Sequence, residues 1–366
     1  MCVIYAADGD ATDDFYHMRL KMKKKKVSRN RRNIAIAIIV LAIALTLIII
    51  SYGNPFRSTP DEVTITVAWN PGSTADDMVR AMLDVADTEI ILQNITGAYG
   101  ADGSNAVFRD THEGTRLLST SLTAFVTSQA MGFAESSHKD WEAWLCAFSP
   151  AVVVVASDTP YNDIDKLITD IRTNPGMIRC ADGGHGTISY IAAELFSSRA
   201  VLEIDHISYS GSNPAITALF DGEAEFAILP STFIINYLHS GELRALGAFS
   251  TTDLSLNDGN KKIIVPSITG LSERLDAVLP IGEYYGLFIP ADTSEAQLNG
   301  LETMIKKATS SDKFMAFIQT SGLEPIIPDR NNSTKTIEIF SSTVNWTLYD
   351  AGFLPTNPEL LGIPRE

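Results

Sequence analysis

The most constraining feature of this sequence is an apolar run near its N-terminus. Residues Ile34–Ile50 are seventeen consecutive residues in which Thr46 is the only polar side chain. As a helix the run spans about 25 Å, and Ser51–Gly53 extend it to about 30 Å, the thickness of a bilayer core. A buried core helix is excluded, because nine basic residues within 1–32 would border that core. The run therefore predicts a transmembrane helix over 34–53.

The basic residues before this run orient it in the membrane. Residues 1–33 are predicted to form a cytoplasmic basic segment, because Lys and Arg cluster on the cytoplasmic side of membrane helices. The tether 54–60, with two prolines, and everything after it then lie outside. A retained anchor at the outer face of the cytoplasmic membrane is the preferred interpretation. The alternative is a cleaved signal sequence and a periplasmic or secreted protein, since Ser51–Gly53 offers small residues at signal-peptidase spacing.

The exported part is strongly acidic, and this excludes one class of partner. Residues 33–366 carry 19 basic and 40 acidic residues, a net charge of −21. Nucleic-acid binding depends on Lys and Arg side chains that displace counterions from phosphates. The sequence has no local basic patch in this part, so no nucleic-acid partner is expected.

From residue 63 onward, short β-like runs alternate with helical stretches, which indicates an α/β architecture with a parallel sheet. Strands are predicted over 63–69, 90–94, 115–121, 151–157, 177–181, 204–208 and 226–229. Helices are predicted over 75–86, 104–109, 164–173, 187–198 and 214–221. The sequence contains no internal repeat and no low-complexity stretch.

Three loops that follow predicted strands are small, polar and rich in glycine, namely 70–76, 94–103 and 182–189. In open α/β sheets, ligands bind at the carboxyl ends of the strands. Each loop precedes a predicted helix, whose first turn offers free backbone N–H groups and a positive dipole end. A single loop of this kind is more often a helix cap or turn. Three in one chain favour an anion site that needs no lysine or arginine.

Motifs in and beyond these loops resemble those of one family. They occur in the family's order and spacing: NPGSTAD at 70–76, NITGAYG at 94–100, CADGGHGT at 180–187 before IAAELF at 191–196, HISYSG at 206–211, LFDGEAE at 219–225, GELRAL at 241–246 and YGLFIPADT at 285–293. From about Thr64 to Leu354 the chain thereby resembles the tripartite tricarboxylate transporter receptors, the Bug family of solute-binding proteins.

The resemblance implies a two-lobed type II periplasmic-binding-protein fold. Lobe 1 would comprise 61–158 plus 285–366, and lobe 2 would comprise 159–284. Such receptors hold a small di- or tricarboxylate or aromatic acid between the lobes, which close around it. They deliver it to the integral-membrane permease subunits of a tripartite tricarboxylate-type transporter, and the receptor itself is expected to be a monomer. The ligand-binding residues carried over by motif are Gly72, Ser73, Asp76, Gly97, Ala98, Tyr99, Thr120, Ser121, Gly184, His185, Gly186 and Thr187.

Several residues depart from the family's motifs and bear on the ligand. Ser73 replaces a glycine of the first loop, and Thr96 replaces the proline of the second. Tyr99 adds a ring where the family has glycine, and His185 stands inside the third loop, within reach of a carboxylate. These changes leave the predicted fold intact but put the ligand in doubt, so a dicarboxylate is the default that the resemblance implies and not an inference from these residues.

Rival chemistries have little support in the sequence. There is no GxSxG or HExxH motif, and no Gly-Lys-Ser/Thr follows the glycine loop, so no enzyme, cofactor or metal is expected. His206 beside Asp205 is predicted to be structural, because no second ligand stands at metal spacing. Trp141 and Trp144 are three residues apart on a possible helix and are predicted to pack in the core. The alternative function is a ligand sensor or interaction module with the same fold.

Two cysteines lie in the exported part and permit one disulfide. Under the resemblance, Cys146 falls in lobe 1 and Cys180 in lobe 2. A bridge between them would tie the lobes together and oppose closure. Both are therefore predicted to be free thiols.

Overall fold

The computed structural model describes residues 17–19, 21, 36–44, 60–83, 88–110, 114–257 and 261–365. The chain divides into two compact units, Met1–Arg57 and Ser58–Glu366. Every element labelled below belongs to the second unit.

The first unit bears on the predicted transmembrane helix. Residues 36–44 form a helix with exposed side chains. Within the described ranges, no helix is both long enough and apolar enough to cross a membrane. The remainder of the predicted segment, together with the tether at 54–59 and most of the basic segment 1–33, lies outside the described residues. The anchor therefore stays a prediction.

The second unit alternates strands and helices along most of its length. The strands are β1 (Glu62–Val67), β2 (Glu89–Asn94), β3 (Arg116–Ser121), β4 (Trp141–Ala156), β5 (Arg179–Asp182), β6 (Asp205–Ser208), β7 (Phe226–Pro230), β8 (Leu243–Ala248), β9 (Leu254–Asn257), β10 (Lys262–Val265), β11 (Gly282–Pro290) and β12 (Glu324–Pro325). The helices are α1 (Thr74–Met82), α2 (Ala101–Phe108), α3 (Leu122–Thr127), α4 (Ile164–Thr173), α5 (Ile188–Ala200), α6 (Ser212–Phe220), α7 (Ser231–Ser240), α8 (Glu273–Asp276), α9 (Glu295–Thr309), α10 (Asp312–Thr320) and α11 (Arg330–Asp350). Each strand and helix predicted from the sequence overlaps an observed element.

One mixed sheet organises this unit, with strand order β2-β1-β3-β11-β4-β7-β5-β6 and with β8 and β12 also paired to β4. β1 runs parallel to β2 and β3, and β5 runs parallel to β6 and β7. In the middle of the sheet β11 is antiparallel to β3 and β4, and β4 is antiparallel to β7 and β8. The predicted parallel pairing is therefore found on the two sides of the sheet, whereas its centre is antiparallel, because β11 returns from far along the chain and enters there.

Strand β4 connects the two halves of the sheet. Its residues up to Pro150 pair with β11, and from Ala151 onward it pairs with β7 and β8. Fifteen of its sixteen residues are buried, as expected for a strand covered on both faces. The change of partner marks where the chain passes from one half to the other. The predicted lobe boundaries at 158/159 and 284/285 remain predictions.

The tryptophans of β4 correct one prediction and agree with another. Trp141 and Trp144 lie in a strand and not on a helix. Because side chains alternate along a strand, an offset of three places them on opposite faces, and they belong to two different core clusters. Trp144 is fully buried, and its Nε1 donates to Glu302 Oε2 at 3.1 Å. Both side chains pack in the core, as predicted.

Cys146 in β4 and Cys180 in β5 are free and fully buried. Burial raises the pKa of both thiols, because a thiolate loses its hydration in the core. The thiolate is the reactive form of cysteine. Both thiols are therefore chemically protected in the folded protein.

Thiol accessibility tests this arrangement. In a Cys2→Ser variant, which keeps only Cys146 and Cys180, we expect no reaction with DTNB at pH 8 in the folded state. Both thiols are expected to react once denaturant is added, which serves as the internal control. Reaction in the native state would show that one of them is exposed.

Candidate functional site

A cavity of about 420 Å³ lies where the first turns of five helices meet. Helices α1, α3, α5, α6 and α7 each contribute residues from their first turn or cap. The lining consists of Trp69, Gly72, Ser73, Thr74, Ala75, Tyr99, Ser121, Thr123, Ala124, Thr127, Met131, Gly186, Thr187, Ile188, Ser189, Gly211, Ser212, Pro230, Phe233, Glu283 and Tyr285. In the described part of the chain, no lysine or arginine lines it. First-turn N–H groups lack helical partners, so this lining favours an anion through backbone donors and helix dipoles.

The loop before α1 is built around Asp76, which is fully buried. Its Oδ2 accepts from Gly72 N at 2.9 Å and from Arg80 Nε at 2.7 Å, and its Oδ1 accepts from Asn94 Nδ2 at 2.9 Å. Burial works to raise its pKa, but these hydrogen bonds outweigh burial and lower the pKa below its ordinary value. Gly72 and Ser73 line the cavity, whereas Asp76 does not. Asp76 therefore holds the loop in shape.

The loop before α2 has an unusual backbone. Ala98 and Tyr99 have φ angles of 44° and 55°, in the left-handed region that non-glycine residues rarely adopt. Tyr99 is 58% exposed, lines the cavity and stacks on Phe133 with ring centroids 6.3 Å apart. Gly97 and Ala98 are absent from the lining, so this loop contributes a ring at the cavity edge. Strain of this kind persists where surrounding structure fixes it, often at ligand sites.

Two residues at the end of β3 affect the cavity, one by lining it and one through a neighbouring side chain. Ser121 stands at the N-cap position of α3 and lines the cavity. Thr120 is 1% exposed and does not line it, but its Oγ1 accepts from Trp69 Nε1 at 3.1 Å. Because Trp69 forms part of the lining, Thr120 acts on the cavity by holding this indole in place.

The loop before α5 is a hydrogen-bonded turn. Gly184 has a φ of +99°, and its carbonyl accepts from Thr187 Oγ1 at 2.7 Å. Gly186 and Thr187 line the cavity, but Gly184 and His185 do not. The His185 ring stacks on Phe353 at a centroid distance of 3.9 Å. The suggested hydrogen bond from His185 to a ligand is therefore not what this geometry favours.

The structure thus divides the twelve residues predicted from the sequence. Six line the cavity: Gly72, Ser73, Tyr99, Ser121, Gly186 and Thr187. Six do not: Asp76, Gly97, Ala98, Thr120, Gly184 and His185. Of the second group, Asp76 and Thr120 position residues that do. Contact with a ligand stays a prediction for all twelve.

Sequence reasoning missed two residues of β11 in the lining, Glu283 and Tyr285. Glu283 is 7% exposed, and its Oε1 accepts from Thr123 N at 2.9 Å. Burial raises the pKa of Glu283 to about 7, although hydrogen bonds with Thr123, Leu122 and Tyr284 act against the shift. No local pattern marks Glu283, whereas Gly211 and Ser212, also missed, lie at a helix start of the kind that identified the other loops.

His206 was predicted to be structural, and it lies inside β6. Its Nδ1 is 3.9 Å from Asp182 Oδ2 and 3.8 Å from Glu194 Oε1, beyond hydrogen-bond distance. It does not line the cavity. The geometry gives His206 no direct part in the site.

The order of these loops along the chain matches a known family. The family model described as the tripartite tricarboxylate transporter family receptor matches residues 73–344, which include all five helix starts and Glu283. The chain belongs to this family. The receptor is accordingly a solute-binding protein and not an enzyme.

Individual relatives and structures agree with this assignment. The receptor is 27% identical over 279 residues to the UPF0065 protein in the tcbD–tcbE intergenic region of Pseudomonas sp. (strain P51), over 74% of this chain and 79% of the relative. A TctC solute-binding protein from Polaromonas, solved without ligand, matches with a TM-score of 0.67 at 20% identity, over 80% of this chain and 99% of that chain. An R. palustris protein solved with adipate matches with a TM-score of 0.62 at 18% identity, over 81% and 98%. The receptor shares their periplasmic-binding-protein fold.

Proposed function

We propose that this receptor captures a small carboxylate in the 420 Å³ cavity and delivers it to the permease subunits of a tripartite tricarboxylate-type transporter. The observation that carries the proposal is the cavity lining, which offers helix first turns and hydroxyls in place of a cationic side chain. Backbone N–H groups at helix starts are established binders of carboxylates and phosphates. The family, and the adipate in one structural neighbour, support a carboxylate over other anions.

We also infer where the receptor lies in the cell and how it encloses its ligand. It is a monomer held at the outer face of the cytoplasmic membrane by residues 34–53, as the apolar run and the preceding basic cluster support. Lobe 1 (61–158 plus 285–366) and lobe 2 (159–284) close around the ligand. Closure excludes water, which strengthens the hydrogen bonds to the carboxylate.

Thermal unfolding of the full chain in detergent, against a panel of mono-, di- and tricarboxylates and aromatic acids, tests the proposal. A ligand at 100 times its Kd adds about 2.7 kcal/mol of stability, which raises Tm by roughly 4 °C for a unit of this size. We expect at least one acid to give such a shift. A flat response across the panel would contradict a carboxylate receptor.

A matched pair of variants connects the shift with the cavity. Ser212 lines the cavity at the start of α6, and the next residue, Asn213, is exposed and does not line it. Ser212→Trp is expected to fill the cavity and remove the ligand-induced rise in Tm. Asn213→Trp carries the same ring outside the cavity and is expected to keep it. Equal responses of the two variants would place the ligand elsewhere.

A further inference from the structure

One acidic residue of the described chain, Glu283, lines the cavity. It lies on β11 at the centre of the sheet, and it is held by the backbone N–H of Thr123. The rest of the cavity is suited to anions. The Glu283 carboxylate therefore occupies a place that a second carboxylate of the ligand would need.

The surroundings of Glu283 do not neutralise its charge. It forms no ion pair within the described ranges, and its pKa is set by burial and by hydrogen bonds with Thr123, Leu122 and Tyr284. The elements packed most closely against β11 are β3, β4, α1, α2, α3 and α5. The other titratable groups on β11 and on these elements are Tyr284, Tyr285, Arg116, Glu142, Cys146, Asp76, Asp77, Arg80, Asp102, Tyr190, Glu194 and Arg199. Of these, Tyr285 has its pKa raised by burial and by the charge of Glu283.

The rest of the lining offers a different kind of contact. Trp69, Tyr99, Met131, Ile188 and Phe233 present aromatic and aliphatic surface to the cavity. Apolar walls with a few placed polar groups are typical of sites for organic ligands. The cavity therefore combines backbone donors for one anionic group with an apolar wall and a buried carboxylate that is charged above its pKa of about 7.

We propose that Glu283 makes this cavity selective for monocarboxylates with an apolar body over dicarboxylates of the same length. This inference rests on the proposed carboxylate-binding function and narrows its ligand class. One carboxylate of the ligand lies against the helix first turns, and its body lies against the apolar wall. A second carboxylate is repelled by Glu283, because like charges in a desolvated site disfavour each other strongly.

Hexanoate and adipate are matched probes, since they differ only in the second carboxylate of a six-carbon chain. Calorimetric titration of the full chain in detergent at pH 8 gives both dissociation constants. We expect hexanoate to bind at least tenfold more tightly than adipate. The Glu283→Gln variant keeps a carbonyl oxygen for the Thr123 N–H and removes the charge. Its ratio of adipate Kd to hexanoate Kd is expected to fall at least tenfold.

Glu324→Gln is the control, because Glu324 is another carboxylate whose burial raises its pKa and it does not line the cavity. This variant is expected to keep the wild-type ratio. A wild-type series from pH 8 to pH 6 tests the same charge without mutation. Protonation of Glu283 should lower the ratio as the pH falls, so the proposal is testable even if Glu283→Gln fails to fold.

The outcomes distinguish a failure of the role of Glu283 from a failure of the proposed carboxylate-binding function. Adipate binding as tightly as hexanoate to the wild type, or a ratio unaffected by both Glu283→Gln and pH, would overturn the role of Glu283 and leave a carboxylate receptor standing. Binding of neither acid, nor of any other acid in the thermal panel, would overturn the proposed function and this inference with it.

Discussion

Replacing Asp76 with alanine is expected to lower the free energy of unfolding by about 2–4 kcal/mol. The loss is large because Asp76 is fully buried and accepts hydrogen bonds from three partners. Without it, Gly72 N loses its side-chain acceptor, and Asn94 Nδ2 keeps only its bond to Trp69 O. Chemical denaturation at pH 7 measures the change.

The neighbouring residue provides the control for this prediction. Asp77 is also in the first turn of α1, but it is exposed. Asp77→Ala removes a carboxylate whose pKa is raised by desolvation and by the charge of Asp76, so we expect the free energy of unfolding to change by less than about 1 kcal/mol. Equal losses for the two variants would mean that the hydrogen bonds to Asp76 contribute little.

The Asp76 contribution also has a defined pH dependence. Its pKa in the folded protein lies below the ordinary value of 3.8. The unfolded state therefore takes up a proton first, and the stabilisation is fully present above that value and is lost as the pH falls through the folded-state pKa. The stability difference between wild type and Asp76→Ala should be constant near neutral pH and shrink below pH 3.8.

Gly282→Ala is expected to cost about 3 kcal/mol or more, at the upper end of the effects of overpacking. A Cβ atom at Gly282 would lie 2.3 Å from Ser149 O and 2.7 Å from Pro150 Cα. Both are backbone atoms, so the close contact is relieved only by moving β11 away from β4. Gly282 pairs with Pro150, where β4 changes partners.

Gly183→Ala is the matched control for this substitution. Gly183 is also buried, but the nearest atom to its added Cβ would be Thr187 Oγ1 at 3.4 Å, an ordinary contact. We expect its free energy of unfolding to change by less than about 1 kcal/mol. If Gly282→Ala were as stable as Gly183→Ala in denaturant titrations, the close backbone packing of β11 against β4 at Gly282 would be disproved.

Features set by neighbouring residues could be predicted from the sequence. Helix α4 begins after Asp163, whose side chain accepts from Lys166 N, and its predicted bounds 164–173 are those observed. The helix-start loops were recognisable for the same reason, because glycine, serine and threonine satisfy or expose the N–H groups of the next few residues. Five of the six predicted lining residues lie in these loops, and Ser121 follows the third predicted strand; the family resemblance singled out all six.

Features that depend on distant pairing could not be predicted in this way. The first half of β4 lacks a clear alternation of polar and apolar residues, since it is covered on both faces, and it was interpreted as a possible helix. The insertion of β11 between β3 and β4 joins residues more than 130 positions apart. Glu283 and Tyr285 reach the cavity only through that insertion, so no local pattern indicates that they line it, although Tyr285 begins the motif at 285–293.

The proposed capture of an anion without a cationic side chain has a consequence for the speed of capture. Helix dipoles act over the length of a turn, whereas the net charge of −21 on residues 33–366 acts over the Debye length of about 8 Å and beyond at low salt. An approaching carboxylate is therefore repelled before it is attracted. Added salt would screen the repulsion first, so association should become faster as ionic strength rises, the reverse of electrostatic steering.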